Sequence, residues 1–277
     1  MSYRSLYEWG KRELLNAGIE EAALDARLLL EFVCHTGRND LLVHGEREVE
    51  REQQETYQKL LVQRAAHTPL QHLTGVQEFM GLEFMVNEKV LIPRQDTEIL
   101  VEEVMRHLHD GFRILDMCTG SGCILLSLLH YSNGCTGVGV DLSPEALSVA
   151  HRNAEKLGEE RALFLQSDLF EKVEGKYEII VSNPPYIPTD VVDTLMEEVR
   201  LHEPRRALDG AADGLLFYRK IITQAKEYLC GGGQLFFEIG YDQKEAVTAL
   251  MEEAGYREVT AVKDFAGLDR VVYGSLY

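Results

Sequence analysis

The sequence predicts an α/β protein whose C-terminal part is a mostly parallel β-sheet with helices on both faces. From about residue 94 onward, short apolar runs alternate with helical patterns, which is typical of parallel strands joined by helices. Only a short connection separates the last two runs, so the last strand should run antiparallel. The seven predicted strands are Arg113–Met117, Gly137–Val140, Ala162–Gln166, Glu178–Val181, Gln234–Glu238, Glu258–Val262 and Arg270–Tyr273.

The N-terminal part is predicted to be a small helical bundle. Apolar residues recur at helical spacing over residues 6–66, as in Leu24, Leu28 and Phe32, with charged residues between them. Glycines, which are common at helix C-termini, interrupt the pattern at three places: Gly18, Gly37 and Gly45. The bundle has no titratable cluster typical of an active site, so we expect it to recognise a partner or to brace the sheet domain.

A β-hairpin is predicted between the bundle and the sheet. Leu70–Gly75 and Phe79–Phe84 form its two strands, with Gly81 near the turn. A helix over Asp96–His109 then leads into the first strand of the sheet. The predicted regions are the helical domain at 1–67, the hairpin linker at 68–93 and the sheet domain at 94–277.

Composition narrows the classes of function. A net charge of -18 and a pI near 4.9 repel phosphate backbones, and no Lys/Arg-rich run offsets them, so direct nucleic-acid binding is not expected. No apolar run reaches the ~18 residues of a membrane span, and no signal peptide is apparent, so we expect a cytoplasmic protein without membrane contact. The five cysteines lack C-x-x-C spacing and predict reduced thiols rather than a zinc site: Cys34, Cys118, Cys123, Cys135 and Cys230.

A glycine-containing turn follows the first strand of the sheet. Its glycines allow backbone N–H groups to approach a ligand at a helix N-terminus, where anionic groups are favoured. The turn lacks the full dinucleotide fingerprint and the P-loop lysine, so by itself it fits several nucleotide cofactors. The residues predicted to bind the cofactor here are Cys118, Thr119, Gly120, Ser121 and Gly122.

Acidic residues follow the next two strands. Asp141 ends the second strand, where a carboxylate can accept hydrogen bonds from both hydroxyls of a ribose, although it can also serve only the following helix. Asp168 follows the third strand and can accept from an adenine amino group, while Leu169 or Phe170 packs on the ring. For Asp168 alone, a helix cap is nearly as good an interpretation.

The sequence Asn183-Pro184-Pro185-Tyr186 directly follows the fourth strand and indicates chemistry on a planar amino or amide nitrogen. The two prolines restrict the backbone and lack N–H groups. The Asn183 side chain adds an amide oxygen, so together with a backbone carbonyl it can accept both hydrogens of one NH2 group. Tyr186 adds an aromatic face for a flat amide or base. Alone, the four residues fit an ordinary proline-rich turn equally well.

Together with further motifs, these residues resemble the HemK/PrmC family of Rossmann-like, class I S-adenosyl-L-methionine (AdoMet) methyltransferases. The motifs are Pro69–Gly75, Glu78-Phe79, Val90–Glu98, Glu203–Arg205 with Ala207-Leu208, Asp213–Leu215 and Lys263–Arg270. The resemblance implies methylation of the glutamine side-chain amide in the Gly-Gly-Gln motif of peptide chain release factors. It also implies AdoMet as donor, S-adenosyl-L-homocysteine as product, no metal, and substrate recognition by the helical domain.

Two positions depart from the family pattern. Cys118 stands where the family usually has glycine, and would be strained if the loop required a positive φ. Arg94–Glu98 replaces the family's Arg-Pro-Glu-Thr-Glu. We expect this segment to help position the cofactor, although a helix N-cap formed by Asp96 or Thr97 is an equally good interpretation.

The resemblance also assigns roles in catalysis. We expect the Asn183 side-chain oxygen and the Pro184 carbonyl to accept the two amide hydrogens, with Tyr186 against the amide plane and Pro185 completing the substrate site. Asn183 would also border the cofactor. Glu238, at the end of a predicted strand, is expected to be structural. An exocyclic-amino methyltransferase acting on nucleic-acid bases and a non-catalytic AdoMet-binding protein remain as alternatives.

Overall fold

The computed structural model describes residues 1–277, which divide into two units. The first unit comprises Met1–Val76 together with Met196–His202, and the second comprises Gln77–Leu195 together with Glu203–Tyr277. The short segment 196–202 therefore belongs to the first unit although it interrupts the second in sequence.

The first unit is helical, as predicted. Its helices are α1 (Tyr3–Asn16), α2 (Ala22–Cys34), α3 (Asp40–Val43), α4 (Arg51–Ala65) and α5 (Leu70–Thr74). The short helix α10 (Glu197–His202) completes it. Arg64 of α4 is buried and donates to Asp25 Oδ2 at 2.7 Å, while its Nη2 lies 2.9 Å from Glu198 Oε2. This arginine thus ties both α2 and α10 to α4.

The apolar stripe that the sequence indicated on α2 is not its buried face. Leu24 and Phe32 are 39% and 43% exposed, whereas Ala26, Leu29 and Leu30 are completely buried. Helix α2 carries apolar residues on both sides, so spacing alone does not select the core face. The small Ala26 permits close approach of Tyr57, whose hydroxyl donates to the Ala26 carbonyl at 3.0 Å.

The predicted hairpin is present, but its first strand lies further along the chain than predicted. The strands are β1 (Val76–Phe79) and β2 (Leu82–Met85), joined by Met80-Gly81 with φ values of 52° and 70°. Leu70–Gly75 is not a strand, because Pro69 precedes and Gly75, at φ 76°, ends helix α5. Five helical residues are too few to show the helical period clearly.

All seven predicted strands form one sheet in the second unit. They are β3 (Arg113–Met117), β4 (Thr136–Asp141), β5 (Ala162–Gln166), β6 (Tyr177–Ser182), β7 (Leu229–Glu238), β8 (Arg257–Lys263) and β9 (Asp269–Leu276). Their order is β5-β4-β3-β6-β7-β9-β8. The last strand, β9, is antiparallel to both β7 and β8, as predicted. From β3 the chain adds strands first toward one edge of the sheet, through β4 and β5, and then toward the other edge, starting with β6. Open α/β sheets usually bind ligands at such a reversal of strand order, here between β3 and β6.

Helices cover both faces of the sheet. They are α6 (Gln95–His107), α7 (Cys123–His130), α8 (Pro144–Leu157), α9 (Thr189–Val192), α11 (Leu216–Ala225) and α12 (Lys244–Glu253), with a 3-10 turn at Arg205–Ala207. Neighbouring strand residues enter opposite cores: Phe237 packs in the core with α11 and α12, and Phe236 in the core with α6 and α7. This alternation is the expected result of the pleat. None of the helices combines the length and apolar character of a membrane span.

Candidate active site

Two loops meet at the point where the sheet order reverses. The pairing of β3 with β6 sets Met117 beside Ser182, and the pairing with β4 sets Met117 beside Val140. Cys118, Asp141 and Asn183 therefore leave neighbouring strands at the same edge of the sheet. A cavity opens there, as expected at the carboxyl ends of parallel strands.

Most of the residues predicted for the site line this cavity. They are Cys118, Thr119, Gly120, Ser121, Asp141, Asp168, Leu169, Asn183 and Pro185. Gly122, Pro184 and Tyr186 belong to the same loops but do not line the cavity. Of the two candidates for an adenine ring contact, Leu169 is at the cavity, whereas Phe170 lies in the core with its ring 4.8 Å from that of Tyr228.

Positive φ angles shape the glycine-containing turn. Cys118, Gly120 and Gly122 have φ values of 64°, 56° and 79°. The strain foreseen for Cys118 is therefore present, because its side chain occupies a left-handed backbone position that suits glycine. Gly122 precedes α7, and a Cβ there would lie 3.2 Å from Cβ of Ala150, so its lack of a side chain serves helix packing.

Asp141 connects the turn to the start of α8. Its Oδ2 accepts from Gly120 N and its Oδ1 from Ser143 N, both at 2.9 Å. Each carboxylate oxygen keeps a further lone pair, and the residue borders the cavity. Burial raises the pKa of Asp141, while these backbone N–H groups and the positive charge of Arg206 oppose the rise. A diol is the chemical group that such a carboxylate suits.

Asp116 is buried beneath the turn. Its Oδ2 accepts from Thr119 Oγ1 at 2.6 Å, whereas Oδ1 has no hydrogen-bond partner. Burial raises the pKa of Asp116 to about 7. The carboxyl therefore changes its charge near neutral pH in the ligand-free protein.

The loop Asn183–Tyr186, predicted from the sequence to be catalytic and called the catalytic loop below, is fixed by side chains from other elements. Asn183 Nδ2 donates to Thr97 Oγ1 at 3.4 Å, and the Tyr186 hydroxyl donates to Glu238 Oε1 at 3.2 Å. The Tyr186 carbonyl accepts from Gln243 Nε2 at 2.9 Å. The Asn183 side-chain oxygen accepts no hydrogen bond from the protein, so it is available to a ligand in the cavity.

Two glycines approach the backbone of this loop closely. A Cβ at Gly214 would lie 2.3 Å from the Tyr186 carbonyl oxygen, and a Cβ at Gly210 would lie 2.8 Å from Tyr186 Cα. Gly214 also has a φ of 71°. Any larger residue at Gly214 would displace the loop. This close approach is the physical reason for a glycine in the motif Asp213–Leu215.

The start of α6 also borders the cavity. Pro93, Arg94 and Thr97 line it. The helix N-cap is Arg94, without a side-chain cap hydrogen bond, so the predicted capping by Asp96 or Thr97 is wrong. Asp96 is instead 3.0 Å from Arg270 Nη2, while Arg94 is ion-paired with Glu203. These tertiary pairs override the local capping preference.

Sequence reasoning missed two features of this site. Arg206 lines the cavity, and its positive charge lowers the pKa of Asp141. The sequence motifs covered Glu203–Arg205 and Ala207-Leu208 but not Arg206 itself. The contacts of Thr97 and Glu238 with the catalytic loop join residues far apart in sequence. The strand pattern predicts that the ends of neighbouring strands lie close together. It could therefore have indicated that Glu238, at the end of β7, lies near the catalytic loop. The structure contains no group of three or more His, Cys, Asp or Glu residues placed to hold a metal ion.

Comparisons with known proteins agree with this arrangement. Residues 5–75 match the family described as PrmC N-terminal domain, and residues 94–217 match the Methyltransferase small domain. The solved structure of a methyltransferase from Pyrococcus furiosus superposes with a TM-score of 0.54 at 17% identity, covering 79% of this chain and 96% of that chain. This likeness shows the shared methyltransferase fold.

Sequence relatives extend over nearly the whole chain. The release factor glutamine methyltransferase of Caulobacter vibrioides is 43% identical, covering 95% of this chain and 93% of that protein. The protein of the same name from Geobacter sulfurreducens is 41% identical, covering 99% and 96%. With identity of this extent, the chain belongs to the release factor glutamine methyltransferase family, which confirms the HemK/PrmC resemblance.

Proposed function

We propose that this protein transfers a methyl group from AdoMet to the side-chain amide nitrogen of the Gly-Gly-Gln glutamine in peptide chain release factors. The observation that supports it most directly is the adjacency of Asn183 to the glycine-containing turn in one cavity. Full-length identity above 40% to proteins named release factor glutamine methyltransferase supports the same substrate class.

The residues at the cavity suit AdoMet. Asp141 would accept from the ribose hydroxyls, and Asp168 with Leu169 would contact the adenine. The turn Cys118–Gly122 would approach the methionine part with its backbone. AdoMet, when bound, supplies an electrophilic methyl group on a sulfonium, and S-adenosyl-L-homocysteine is the product. No metal has a role in this proposal.

An amide nitrogen is a poor nucleophile, and the catalytic loop would make it more reactive. The nitrogen lone pair is delocalised into the carbonyl, so positive charge developing on nitrogen requires stabilisation. The Asn183 side-chain oxygen and the Pro184 carbonyl would accept the two N–H hydrogens and orient the nitrogen. After the new N–C bond has formed and the sulfonium S–C bond has broken, one of these hydrogens would leave the nitrogen as a proton. Pro185 would complete the substrate pocket and Tyr186 would pack beside the amide. The carbonyl of Pro184 accepts no hydrogen bond from the protein, which leaves it available.

We also propose that the helical unit recognises the release factor. It has exposed apolar residues that do not contribute to its core, including Leu24 and Phe32 on one side of α2. Replacing both with aspartate should weaken binding of the release factor without changing the affinity for S-adenosyl-L-homocysteine. Unchanged release-factor affinity would refute this role.

The alternative of base methylation is less well supported. Exocyclic amino groups fit the same pair of acceptors, but the chain has a net charge of -18 and lacks a basic run. The relatives at 41% and 43% identity are named for a protein substrate, the release factor, which also favours a protein substrate here.

Methyl transfer from labelled AdoMet tests the proposal. Purified release factor, a variant with the Gly-Gly-Gln glutamine replaced, structured RNA and duplex DNA would be compared. We expect label only on the intact release factor. Asn183→Ala should reduce kcat at least about 100-fold with S-adenosyl-L-homocysteine binding retained. Label on nucleic acid, or full activity of Asn183→Ala, would contradict the proposal.

A further inference from the structure

Glu238 is a buried carboxylate with no assigned part in the reaction. It ends β7 and is 2% exposed. Its Oε1 accepts from the Tyr186 hydroxyl, whereas Oε2 has no partner in hydrogen-bonding geometry. Burying a carboxylate away from water is costly, so a buried Glu238 indicates a role beyond packing.

Thr97 connects this carboxylate to Asn183. Thr97 is 3% exposed, and its hydroxyl oxygen accepts from Asn183 Nδ2. The same hydroxyl lowers the carboxyl pKa of Glu238 as a donor, although the two groups do not form a hydrogen bond of full geometry. Hydrogen bonds of this kind often tighten when substrate binds.

The direction of donation in this chain of groups has a chemical consequence. An ionised carboxylate only accepts, so Glu238 can take the single hydrogen of Thr97 once the two groups reach hydrogen-bonding geometry. The Thr97 oxygen then accepts, and Asn183 must turn its NH2 group toward Thr97. The Asn183 oxygen is thereby left facing the cavity, where the amide hydrogens of a substrate need an acceptor.

We propose that Glu238 is a positioning residue for methyl transfer, which selects the orientation of the Asn183 amide through Thr97 and holds the Tyr186 ring through its hydroxyl. This inference rests on the proposed function and assigns Glu238 a role beyond the structural one expected from the sequence. Only an ionised glutamate enforces this direction, because a neutral acid or an amide at the same position could itself donate to Thr97.

Burial and the surrounding groups act in opposite directions on the pKa of Glu238. Burial raises the pKa of Glu238, the Thr97 and Tyr186 hydroxyls and the positive charge of Arg270 oppose the rise, and Asp96 adds to it. Arg270 is itself held by Asp264 at 3.1 Å. As pH falls through the raised pKa, Glu238 is protonated and its selection of the Asn183 orientation is lost, so kcat should fall on the acidic side.

Steady-state kinetics of four variants test the proposal. Glu238→Gln retains the shape but adds a donor, and Thr97→Val retains the shape but removes the hydroxyl. Each should lower kcat about 10-fold to 100-fold, since misorientation of a reacting group costs up to about 100-fold. Thr97→Ser keeps the hydroxyl and should retain most activity. Glu103→Gln is the matched control, because Glu103 is also buried but pairs with Arg106 and His107 away from the cavity.

Three further readouts separate positioning from general stability. The affinity for S-adenosyl-L-homocysteine, measured by calorimetry, should be unchanged in Glu238→Gln, and the acidic limb of its kcat–pH profile should disappear. The 15N side-chain signals of Asn183, identified by their loss in Asn183→Ala, should shift in Glu238→Gln and Thr97→Val but not in Glu103→Gln. These signals do not depend on activity.

The outcomes distinguish this inference from the proposed function. Absence of release-factor methylation by the wild-type protein would remove the proposed function itself. With wild-type methylation established, normal kcat in Glu238→Gln or Thr97→Val would overturn the positioning role. Equal loss of kcat in Glu238→Gln and Glu103→Gln, with unshifted Asn183 signals, would overturn it as well.

Discussion

The two loops at the cavity obtain their shapes in different ways. The glycine-containing turn Cys118–Gly122 is shaped largely by its own residues, three of which have positive φ, and a Cβ at Gly120 would meet nothing within 4 Å. The catalytic loop Asn183–Tyr186 has rigid prolines, but its position depends on distant residues such as Gly214 and Gln243. Tertiary contacts hold both loops, since Gly120 N donates to Asp141 and the Ser121 carbonyl accepts from Asn153. Only the turn, however, owes its bend to positive φ values of its own residues.

This difference predicts a separation of effects. Changes near the glycine-containing turn should alter cofactor affinity or stability, because that loop lines the cavity proposed to hold the cofactor. Changes to the supports of the catalytic loop should alter turnover, because small displacements of reacting groups reduce rates strongly while leaving cofactor contacts in place.

Gly214→Ala is expected to have the largest effect. The new Cβ would lie 2.3 Å from the Tyr186 carbonyl oxygen at a φ of 71°, so the catalytic loop must move. We expect kcat for release-factor methylation to fall about 100-fold with little change in S-adenosyl-L-homocysteine affinity. Gly158→Ala is the control: its φ is 67° but nothing lies within 4 Å of the new Cβ. Similar kinetics of the two variants would show that backbone strain, not displacement, is responsible.

Asp141→Ala should weaken cofactor binding next most strongly. It removes a charged acceptor from the cavity and releases the N–H groups of Gly120 and Ser143. Since hydrogen bonds to charged groups contribute about 1.5–3 kcal/mol, the Kd for S-adenosyl-L-homocysteine should rise on the order of 100-fold by calorimetry. Glu145→Ala removes a neighbouring carboxylate that does not line the cavity, and its Kd should be nearly normal. A normal Kd for Asp141→Ala would contradict the ribose assignment.

Asp116 should make the ligand-free protein less stable as pH rises. Its pKa is raised from 3.8 to about 7 in the folded state, so the neutral form favours folding and this contribution is lost as pH rises through 7. From pH 5 to pH 8 the free energy of unfolding should fall by about 2 kcal/mol because of this group.

Chemical denaturation of Asp116→Asn across this range would measure the effect, and the variant should lose less stability than the wild type. Asp213→Asn is the comparison, because the pKa of Asp213 is lowered to about 2 by Arg219 and its titration lies outside the range. Equal pH dependence in the wild type and Asp116→Asn would exclude Asp116 as the cause.

Cys118→Gly should have the smallest effect, and it should be stabilising. The cysteine has a φ of 64°, a conformation that costs a non-glycine residue about 1 kcal/mol. We expect the free energy of unfolding to rise by up to about 1 kcal/mol with cofactor affinity retained. Cys123→Gly, at the start of α7, should instead destabilise because its backbone is helical. A loss of stability in both variants would show that the Cys118 side chain contributes more by packing than it costs in strain.

The same contrast between local and tertiary contacts explains which features could be predicted from the sequence. The strands, the turn and the residues Asn183–Tyr186 are local patterns, and the alternation of strands with helices predicts a mostly parallel sheet. The order of the strands in that sheet was not predicted. The supports of the catalytic loop could not be predicted in this way, because Thr97, Gly214 and Glu238 approach it from separate elements. The short helix α5 was mispredicted as a strand because five residues show no clear period. The buried face of α2 could not be selected from spacing, since burial there depends on neighbours such as Tyr57.

The assignment of residues 196–202 to the helical unit affects how this protein can be divided. A fragment made by removing the first 76 residues would keep α10 but lose Arg64, the ion-pair partner of Glu198. Any change in its activity would therefore reflect both the loss of the bundle and the disturbance of residues 196–202, which lie in sequence between the catalytic loop and Glu203. A chimera that exchanges recognition units between relatives should transfer both pieces together. The helical unit of this protein is discontinuous in sequence, so an engineered exchange has to include both pieces.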